Sequence, residues 1–165
     1  MKKSALIVGL LVLATCCVAA PAPVPAQPPT TSGGSGQALL NLDNTVAVHG
    51  YDVVAYFNQN RARKGSRRIK QGLGMANYYF ATWRNRYQFL RDAPKYQPQF
   101  GGYCALAMAV GRLEDIDPNA FTVYNGKLYL FRDENAKNAF FQDPDHIIYQ
   151  AAANYFEIAR ERREY

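Results

Sequence analysis

The chain has 165 residues, a formal net charge of +6, and 12 tyrosines and 9 phenylalanines against 3 cysteines. Its folded part has the length of one domain and enough apolar residues to bury a core, which excludes a small scaffold held together by disulfides. No nucleophile–base–acid set, phosphate-binding loop or paired-carboxylate motif is recognisable. A conventional hydrolase is therefore disfavoured, and a binding module is favoured over an enzyme.

The N-terminus has the pattern of an export signal. Lys2 and Lys3 precede an unbroken run of apolar residues and Gly at residues 5–14. That run is too short to span a bilayer and has the length of a signal-peptide core. We therefore predict a signal peptide at residues 1–19 and an exported, periplasmic protein.

Two modes of signal cleavage are open. Residues 13–16 resemble a bacterial lipoprotein box, in which Cys16 becomes a lipidated N-terminus that anchors the protein to the membrane. Thr15 fits that box poorly, and ordinary cleavage near Ala19 or Ala26 is the alternative. A lipid anchor is slightly favoured because a flexible spacer follows.

The spacer covers residues 20–37, which are rich first in Pro and then in Gly and Ser. This composition cannot form a core and predicts a tether, stiff first and then flexible. The folded domain is then predicted to cover residues 38–165. Without Lys2 and Lys3, the 19 basic residues fall to 17 against 13 acidic ones, a net charge of +4.

Charge is distributed unevenly along the domain. No acidic residue lies between Asp52 and Asp92, whereas basic residues crowd the segment 61–70. Nucleic acid is not expected as a partner because the protein is predicted to be exported. A solvated loop that also suits an anionic membrane surface is favoured over a site for an acidic ligand.

Two segments of the chain, residues 78–92 and 129–143, resemble each other at an offset of 51 residues. The matched pairs are Tyr78 and Tyr129, Phe80 and Phe131, Arg86 and Lys137, Phe89 and Phe140, and Asp92 and Asp143. Each segment reads as a short aromatic strand followed by a helix, with Thr82 and Asp133 suited to the N-cap positions. We predict a single small α+β domain built from two similar strand–helix units.

This repeat also predicts which side chains form the core. Phe89 and Phe140 are expected to be buried on their helices and to face one shared core. Trp83, Tyr87 and Leu90 are expected on the buried face of the first helix.

In the second unit, the Asn-Gly pair within residues 121–131 predicts a β-hairpin with a two-residue turn. Apolar residues at helical spacing predict a C-terminal helix over residues 146–160.

Cys104 is the candidate reactive residue, because the other two cysteines fall in the predicted signal peptide and a lone thiol is unusual in an exported protein. If a helix starts after Gly101-Gly102, the thiol lies among free backbone N–H groups that favour a thiolate, and Met108 follows one turn later. Residues 103–110 also alternate as a strand would. The alanine content favours the helix.

Five segments of the chain carry a family resemblance. They are His49-Gly50-Tyr51-Asp52-Val53-Val54-Ala55-Tyr56-Phe57, Lys64-Gly65-Ser66, Tyr96-Gln97-Pro98-Gln99-Phe100-Gly101-Gly102-Tyr103-Cys104-Ala105, Asp117-Pro118, and Asn125-Gly126-Lys127-Leu128-Tyr129-Leu130. In this order they resemble the YHS-domain proteins, and most closely the standalone exported bacterial branch of that family. The resemblance covers nearly all of residues 43–156 and implies a small α+β module.

The resemblance also has implications for chemistry. Other YHS modules occur in proteins that handle copper and other heavy metals, including metal-transporting ATPases. Some members of the exported branch carry selenocysteine at the position matched by Cys104. The resemblance therefore implies thiol or selenol chemistry, or soft-metal ligation, at this residue.

The chain departs from the metal-binding members, which carry a pair of cysteines near the strand and the following helix. The corresponding residues 80–85 contain none. One thiol cannot form a closed zinc site, whereas copper(I) tolerates low coordination by sulfur. We take Cys104, Met108 and His49 as candidate ligands, with copper as the candidate cofactor. Met108 is not a position of the family pattern, and His146, near a helix start, is a weaker candidate.

Three functional hypotheses follow. The first is an exported, membrane-tethered binding module for a soft metal such as copper. The second is a thiol-dependent redox protein that uses Cys104 as its catalytic group and, having no second cysteine in the domain, relies on an external thiol. The third is an inert scaffold with a buried Cys104. The protein partner, if any, is not identified by the sequence.

Overall fold

The computed structural model describes residues 39–162. The predicted signal peptide, Cys16 and the tether at residues 20–37 lie outside the described residues. The strands are β1 (Leu42–Asp43), β2 (Val46–Ala47), β3 (Ser66–Leu73), β4 (Ala76–Phe80), β5 (Asp117–Tyr124) and β6 (Lys127–Phe131). The helices are α1 (Val53–Gln59), α2 (Trp83–Arg91), α3 (Ala93–Tyr96), α4 (Ala105–Ala109), α5 (Glu134–Phe140) and α6 (Pro144–Glu161). Two 3₁₀ turns lie at Val48–Gly50 and Gln99–Gly102.

The strands form two separate sheets. One has four strands in the order β1-β2-β4-β3, in which β2 runs parallel to β4 and the other pairs are antiparallel. The other is the β5–β6 hairpin, whose turn at Asn125-Gly126 has the predicted positive φ angles of 48° and 73°. With helices packed beside these sheets, the predicted α+β class is confirmed.

The predicted repeat extends much further than the sequence match. Each half of the domain contains a 3₁₀ turn, a helix, an antiparallel hairpin and a second helix, over residues 48–91 (the first half) and 99–140 (the second half). From the hairpins onward, both boundaries of β3 and β4 and the first residue of α2 recur 51 residues later in β5, β6 and α5, and α5 ends two residues earlier than this offset would give. Even the break in strand register recurs, between Ser66 and Lys70 and between Asp117 and Phe121.

The two halves also share the corner where the 3₁₀ turn passes into the helix. Positive φ angles at Gly50 (77°) and Gly102 (85°) reverse the chain, and the same offset of 52 relates Asp52 to Cys104. The N–H of Asp52 donates to the carbonyl of Arg63 at 2.8 Å, and the N–H of Cys104 donates to the carbonyl of Glu114 at 3.0 Å. We call residues matched in this way counterparts.

The second corner has an additional steric constraint at Gly101. This residue has a φ of 63°, and a side chain at this position would collide with the carbonyl oxygen of Leu39. The N–H of Asn41 donates to the Gly101 carbonyl at 2.9 Å. Glycine is therefore required by both the φ angle and the close approach of the chain before β1.

The aromatic core is built twice from the same positions. Phe89 on α2 contacts Tyr78 and Phe80 on β4, with ring centroids 4.8 and 5.2 Å apart. Phe140 on α5 contacts Tyr129 and Phe131 on β6 in the same way, at 5.5 and 5.1 Å. Phe89 and Phe140 are both buried in the same core cluster, as predicted.

One prediction about the core is wrong. Trp83, Tyr87 and Leu90 were expected to be buried on α2, but their side chains are 64%, 62% and 49% exposed. The helix buries Asn85 and Phe89 instead. Phe89 already fills the space above the sheet, so the longer aromatic stripe is turned outward.

The segment after Cys104 is a helix, which decides between the two conformations that the sequence left open. Cys104 occupies the N-cap of α4, and Gly111 follows its end with a φ of 72°. The side-chain amide of Asn154 on α6 donates to the carbonyls of Met108 and Ala109, both at 3.0 Å. These bonds satisfy terminal carbonyls of α4 and fix it against α6.

The repeated core yields a stability prediction. Phe89→Ala and Phe140→Ala should each lower the free energy of unfolding by about 3–5 kcal/mol, because each removes a buried ring from a filled site. Phe156→Ala, at a site that is 45% exposed, is the control and should cost about 1 kcal/mol or less. Denaturant unfolding measures all three. Equal losses for the core and control variants would contradict the shared-core assignment.

Candidate functional site

The corner of the first half is held by a buried carboxylate. Asp52 has no exposed surface. Its oxygens accept hydrogen bonds from the N–H of Val54 (3.0 Å), the N–H of Ala81 (2.7 Å) and the side-chain amide of Asn85 (2.7 Å). Of these donors, only the N–H of Val54 is local in the sequence, and it makes Asp52 the N-cap of α1. The carboxylate also joins α1 to the end of β4 and to α2.

The second half has the same corner without that network. Cys104 stands in place of Asp52, and its side chain makes no capping hydrogen bond to α4. The counterparts of Val54 and Ala81 are Leu106 and Arg132. The counterpart of Asn85 is Ala136, which has no amide and is much smaller. Two substitutions have therefore removed the buried hydrogen-bond network.

A cavity of about 390 Å³ occupies this place. Its lining includes the counterparts of all four members of the Asp52 network, namely Cys104, Leu106, Arg132 and Ala136. The remaining lining residues come from α4, the loop after it and α6: Ala107, Ala109, Val110, Arg112, Glu114, His146, Ile147 and Gln150. A concave, largely apolar site with a few convergent polar groups is the usual form of a small-ligand pocket.

Cys104 lies at the wall of this cavity with 0% exposed surface. The cavity therefore reaches the residue, but a water-sized probe does not touch its surface. The sequence-based redox and metal hypotheses required a reachable thiol. In the described structure, access to the sulfur needs a shift of the side chains that line the cavity.

The polar groups of the cavity carry both signs of charge. Glu114 pairs with Arg132 at 2.8 Å and with Arg112 at 3.3 Å. Arg132 also contacts Asp133 at 3.1 Å, and these acidic neighbours raise the pKa of the guanidinium. One carboxylate is thus shared between two arginines. With Asp133 included, the two arginines are matched by two carboxylates.

His49, a predicted metal ligand, belongs to a different site. Its Nε2 lies 2.8 Å from Oδ1 of Asp115, which also accepts a 2.8 Å hydrogen bond from the side chain of Asn41. Partial burial tends to raise the pKa of Asp115, but the hydrogen bonds from Asn41, the N–H of Ile116 and His49 lower it overall. His49 is therefore engaged in a local polar cluster and does not line the cavity.

The other two predicted ligands lie together on α4. Met108 is one turn after Cys104, whose carbonyl accepts its N–H at 2.9 Å, and both side chains are fully buried. Met108 does not line the cavity, whereas His146, weighed as a weaker candidate, does. Within residues 39–162, no group of three or more His, Cys, Asp or Glu side chains could hold a metal ion. The donors present therefore fit a closed zinc site poorly, and fit a soft ion of low coordination number better.

Sequence reasoning missed the cavity and its arginines. A signal was nevertheless present, because Gly50-Tyr51-Asp52 recurs as Gly102-Tyr103-Cys104. Its offset of 52 differs by one from that of the strand–helix match. The difference arises because α4 is two residues shorter than α1, whereas the connection from α4 to β5 is one residue longer than that from α1 to β3.

A scan of family models and searches of curated proteins and of solved structures find no significant match to this chain. The resemblance to YHS-domain proteins therefore stays a prediction. No helix within the described residues is long and apolar enough to cross a membrane.

The Asp52 network yields a second stability prediction. Asp52→Asn should lower the free energy of unfolding by about 2 kcal/mol or more, because an amide NH₂ would face buried donors on at least one side. Asp92→Asn is the control, since Asp92 caps α3 at an exposed position and Asn caps helices equally well. Thermal and urea unfolding compare the two. A loss at Asp52 no larger than that at Asp92 would contradict the structural role of the carboxylate.

Proposed function

We propose that this chain is an exported thiol-dependent redox protein, with Cys104 as its reactive group and the adjoining cavity as its substrate site. One observation carries the proposal. The two halves of the domain have the same corner, and Cys104 in the second half takes the place of Asp52 in the first. In the first half that position holds a negative charge in a filled network. In the second half it holds a thiol beside a cavity.

The first half indicates how a charged sulfur would be stabilised. There, the N–H groups of Val54 and Ala81 donate to the carboxylate. The counterpart N–H groups belong to Leu106 and Arg132, and both residues line the cavity. In the described structure the Cys104 side chain makes no capping hydrogen bond to α4, but these N–H groups could donate to a charged sulfur that turned toward them. The same donors suit the oxygen of an oxidised sulfur.

The reaction that fits this site is reduction of a small hydroperoxide. The Cys104 thiolate attacks one peroxide oxygen, a sulfur–oxygen bond forms, and the oxygen–oxygen bond breaks. Sulfur loses two electrons and becomes a sulfenic acid, and the departing oxygen takes a proton to leave as water or an alcohol. Return to the thiol needs two equivalents of an external thiol, which leave as a disulfide with one water.

The size of the cavity supports this substrate class. Ala136, which has a methyl group where Asn85 has an amide, lines the cavity together with Cys104. A cavity of about 390 Å³ is large enough for a small hydroperoxide or thiol. His146 lines the same cavity, so it is available to donate the proton that the leaving oxygen takes.

The redox proposal is tested by oxidising the native protein. Dilute hydrogen peroxide followed by a sulfenic-acid trap should label Cys104 in the folded chain, as read by peptide mass spectrometry, and added thiol should reverse the oxidation. Ala136→Asn copies the first half and should fill the cavity. It is therefore expected to slow labelling at least tenfold when both proteins are compared under conditions in which they are folded.

Two outcomes would contradict the redox proposal. One is labelling of Cys104 only after the protein is unfolded. The other is an unchanged labelling rate in Ala136→Asn, which would mean that access does not run through the cavity. The first outcome would favour the inert scaffold.

Soft-metal binding is the second candidate, and one observation favours it. His146 lines the same cavity as Cys104, and Met108 lies one turn along α4 from that thiol. Thiolate, thioether and imidazole are donors that suit copper(I). Cys104 and His146 would hold the ion in the cavity, with Met108 as a third donor after a shift of its buried side chain, and copper would then be cargo for an exported binding module.

An anaerobic copper(I) titration against a chromophoric competing chelator separates the metal ligands. About one equivalent should bind, and Cys104→Ser and His146→Ala should each weaken binding. His49→Ala is the matched control, because His49 is outside the cavity and is expected to leave affinity unchanged. Weakening by His49→Ala but not by His146→Ala would contradict the cavity site and restore the ligand set predicted from the sequence. Absence of binding in every variant would end the metal proposal.

A further inference from the structure

An apolar stripe on α2 points into solvent. Trp83, Tyr87 and Leu90 recur at helical spacing on one face, and none of them is buried. With 100° between successive residues, Arg84 and Arg91 border the stripe on one side. Arg86 borders it on the other, and its guanidinium lies 5.8 Å from the ring of Trp83.

The helix is held rigidly with the stripe in this orientation. The guanidinium of Arg86 donates to the carbonyl of Lys70 at 3.0 Å and to the side-chain oxygen of Gln71 at 2.9 Å. These bonds fix α2 beside β3. On the inner side of the helix, Phe89 and Asn85 are buried, so the stripe cannot turn inward without breaking the core and the Asp52 network.

The fold does not require aromatic residues at these positions. The counterparts of Trp83 and Tyr87 on α5 are Glu134 and Asn138. The second half therefore builds the same helix with polar residues in place of the two rings. The aromatic residues of α2 are a feature of this surface and are not a condition of folding.

The segment that contains the stripe carries one sign of charge up to the exposed Asp92 at the end of α2. Residues 53–91 contain nine basic residues and no acidic residue. The charges of β3, at Arg67, Arg68 and Lys70, are exposed on an edge strand, and charge on an edge strand is a common device against strand pairing. Edge protection explains those three residues, but it does not explain Arg84, Arg91 or the apolar stripe beside them.

We propose that this face of the domain, formed by the α2 stripe and its flanking basic residues, docks on a bilayer that contains anionic phospholipid. Trp and Tyr rings favour the boundary between headgroups and acyl chains, and arginines beside them reach the phosphates. All charged side chains within the 39 residues 53–91 are positive. Such a segment complements an anionic lipid surface, whose charges are all negative. The competing occupant of this face is an acidic protein partner. For such a partner, we would expect the face to carry charges of both signs.

The chain carries its own reporter for this face, because Trp83 is its single tryptophan. The experiment uses the full chain with Cys16→Ser, so that no lipid is attached, and vesicles of phosphatidylcholine with or without phosphatidylglycerol. Trp83 emission should shift to the blue with anionic vesicles only, and lipids brominated on their acyl chains should quench it. Added salt should reverse the shift because the attraction is screened.

Charge and stripe variants separate this face from the rest of the chain. Arg84→Gln with Arg91→Gln should weaken partition into anionic vesicles about 25-fold, at about fivefold for each cation near the surface. Arg160→Gln with Arg162→Gln, at the end of α6, removes the same charge and should have a much smaller effect. The double variant Trp83→Glu with Tyr87→Asn copies the residues of α5 and should therefore fold. It should lose the partition into anionic vesicles that depends on this face.

Three results would overturn the proposal. One is sedimentation with anionic vesicles while Trp83 emission is unchanged, which would mean that another part of the chain holds the protein. The second is an equal effect of the two arginine pairs. The third is absence of vesicle binding together with binding to polyglutamate that Arg84→Gln and Arg91→Gln weaken, which would assign the face to an acidic polypeptide.

Discussion

The buried carboxylate of Asp52 is the interaction on which the organisation of this domain depends. It joins the start of α1, the end of β4 and the side of α2 through three hydrogen bonds. A buried charge is tolerated only where such donors converge on it. The second half keeps the same corner but replaces the carboxylate by Cys104 and its amide partner by Ala136. The corner is then held by apolar packing and by α6, and the space that the network would fill becomes the cavity.

Divergence between two similar halves explains both unusual surfaces of the molecule. In the second half, smaller residues at the corner produce a cavity beside a thiol. In the first half, aromatic residues on α2 take the places of Glu134 and Asn138 and produce an exposed stripe within a basic field. The shared construction supplies stability in each half through the same aromatic cluster. The corner and the outer face of the second helix are therefore free to differ between the halves.

The sequence predicted the periodic features of this fold and missed those that depend on packing. Aromatic spacing, N-cap residues and the Asn-Gly turn are local signals, and they led to the correct hairpin and α+β class. The burial of Phe89 followed from the same pattern. The exposure of Trp83 did not follow from it. Helix α2 has apolar residues on two faces, and packing against the neighbouring sheet decides which face is buried.

The candidate site was only partly predictable for a related reason. Cys104 could be singled out because it is the lone cysteine of the domain, and the helix after it followed from its alanines. His49 was chosen by its place in a motif, yet its ring pairs with Asp115. His146 and Arg132 are far from Cys104 in the sequence and join it only through α6 and the second hairpin. Such long-range contacts leave no periodic signal in a single sequence.

The most direct test of the cavity as the functional site is the native-state reactivity of Cys104 toward thiol reagents of two sizes. A small methanethiosulfonate should modify Cys104 in the folded protein, at a rate that does not follow global unfolding, while a bulky maleimide should react far more slowly. Peptide mass spectrometry separates Cys104 from Cys16 and Cys17. If both reagents react only at the rate of global unfolding, the thiol is an inert part of the core and the account is contradicted.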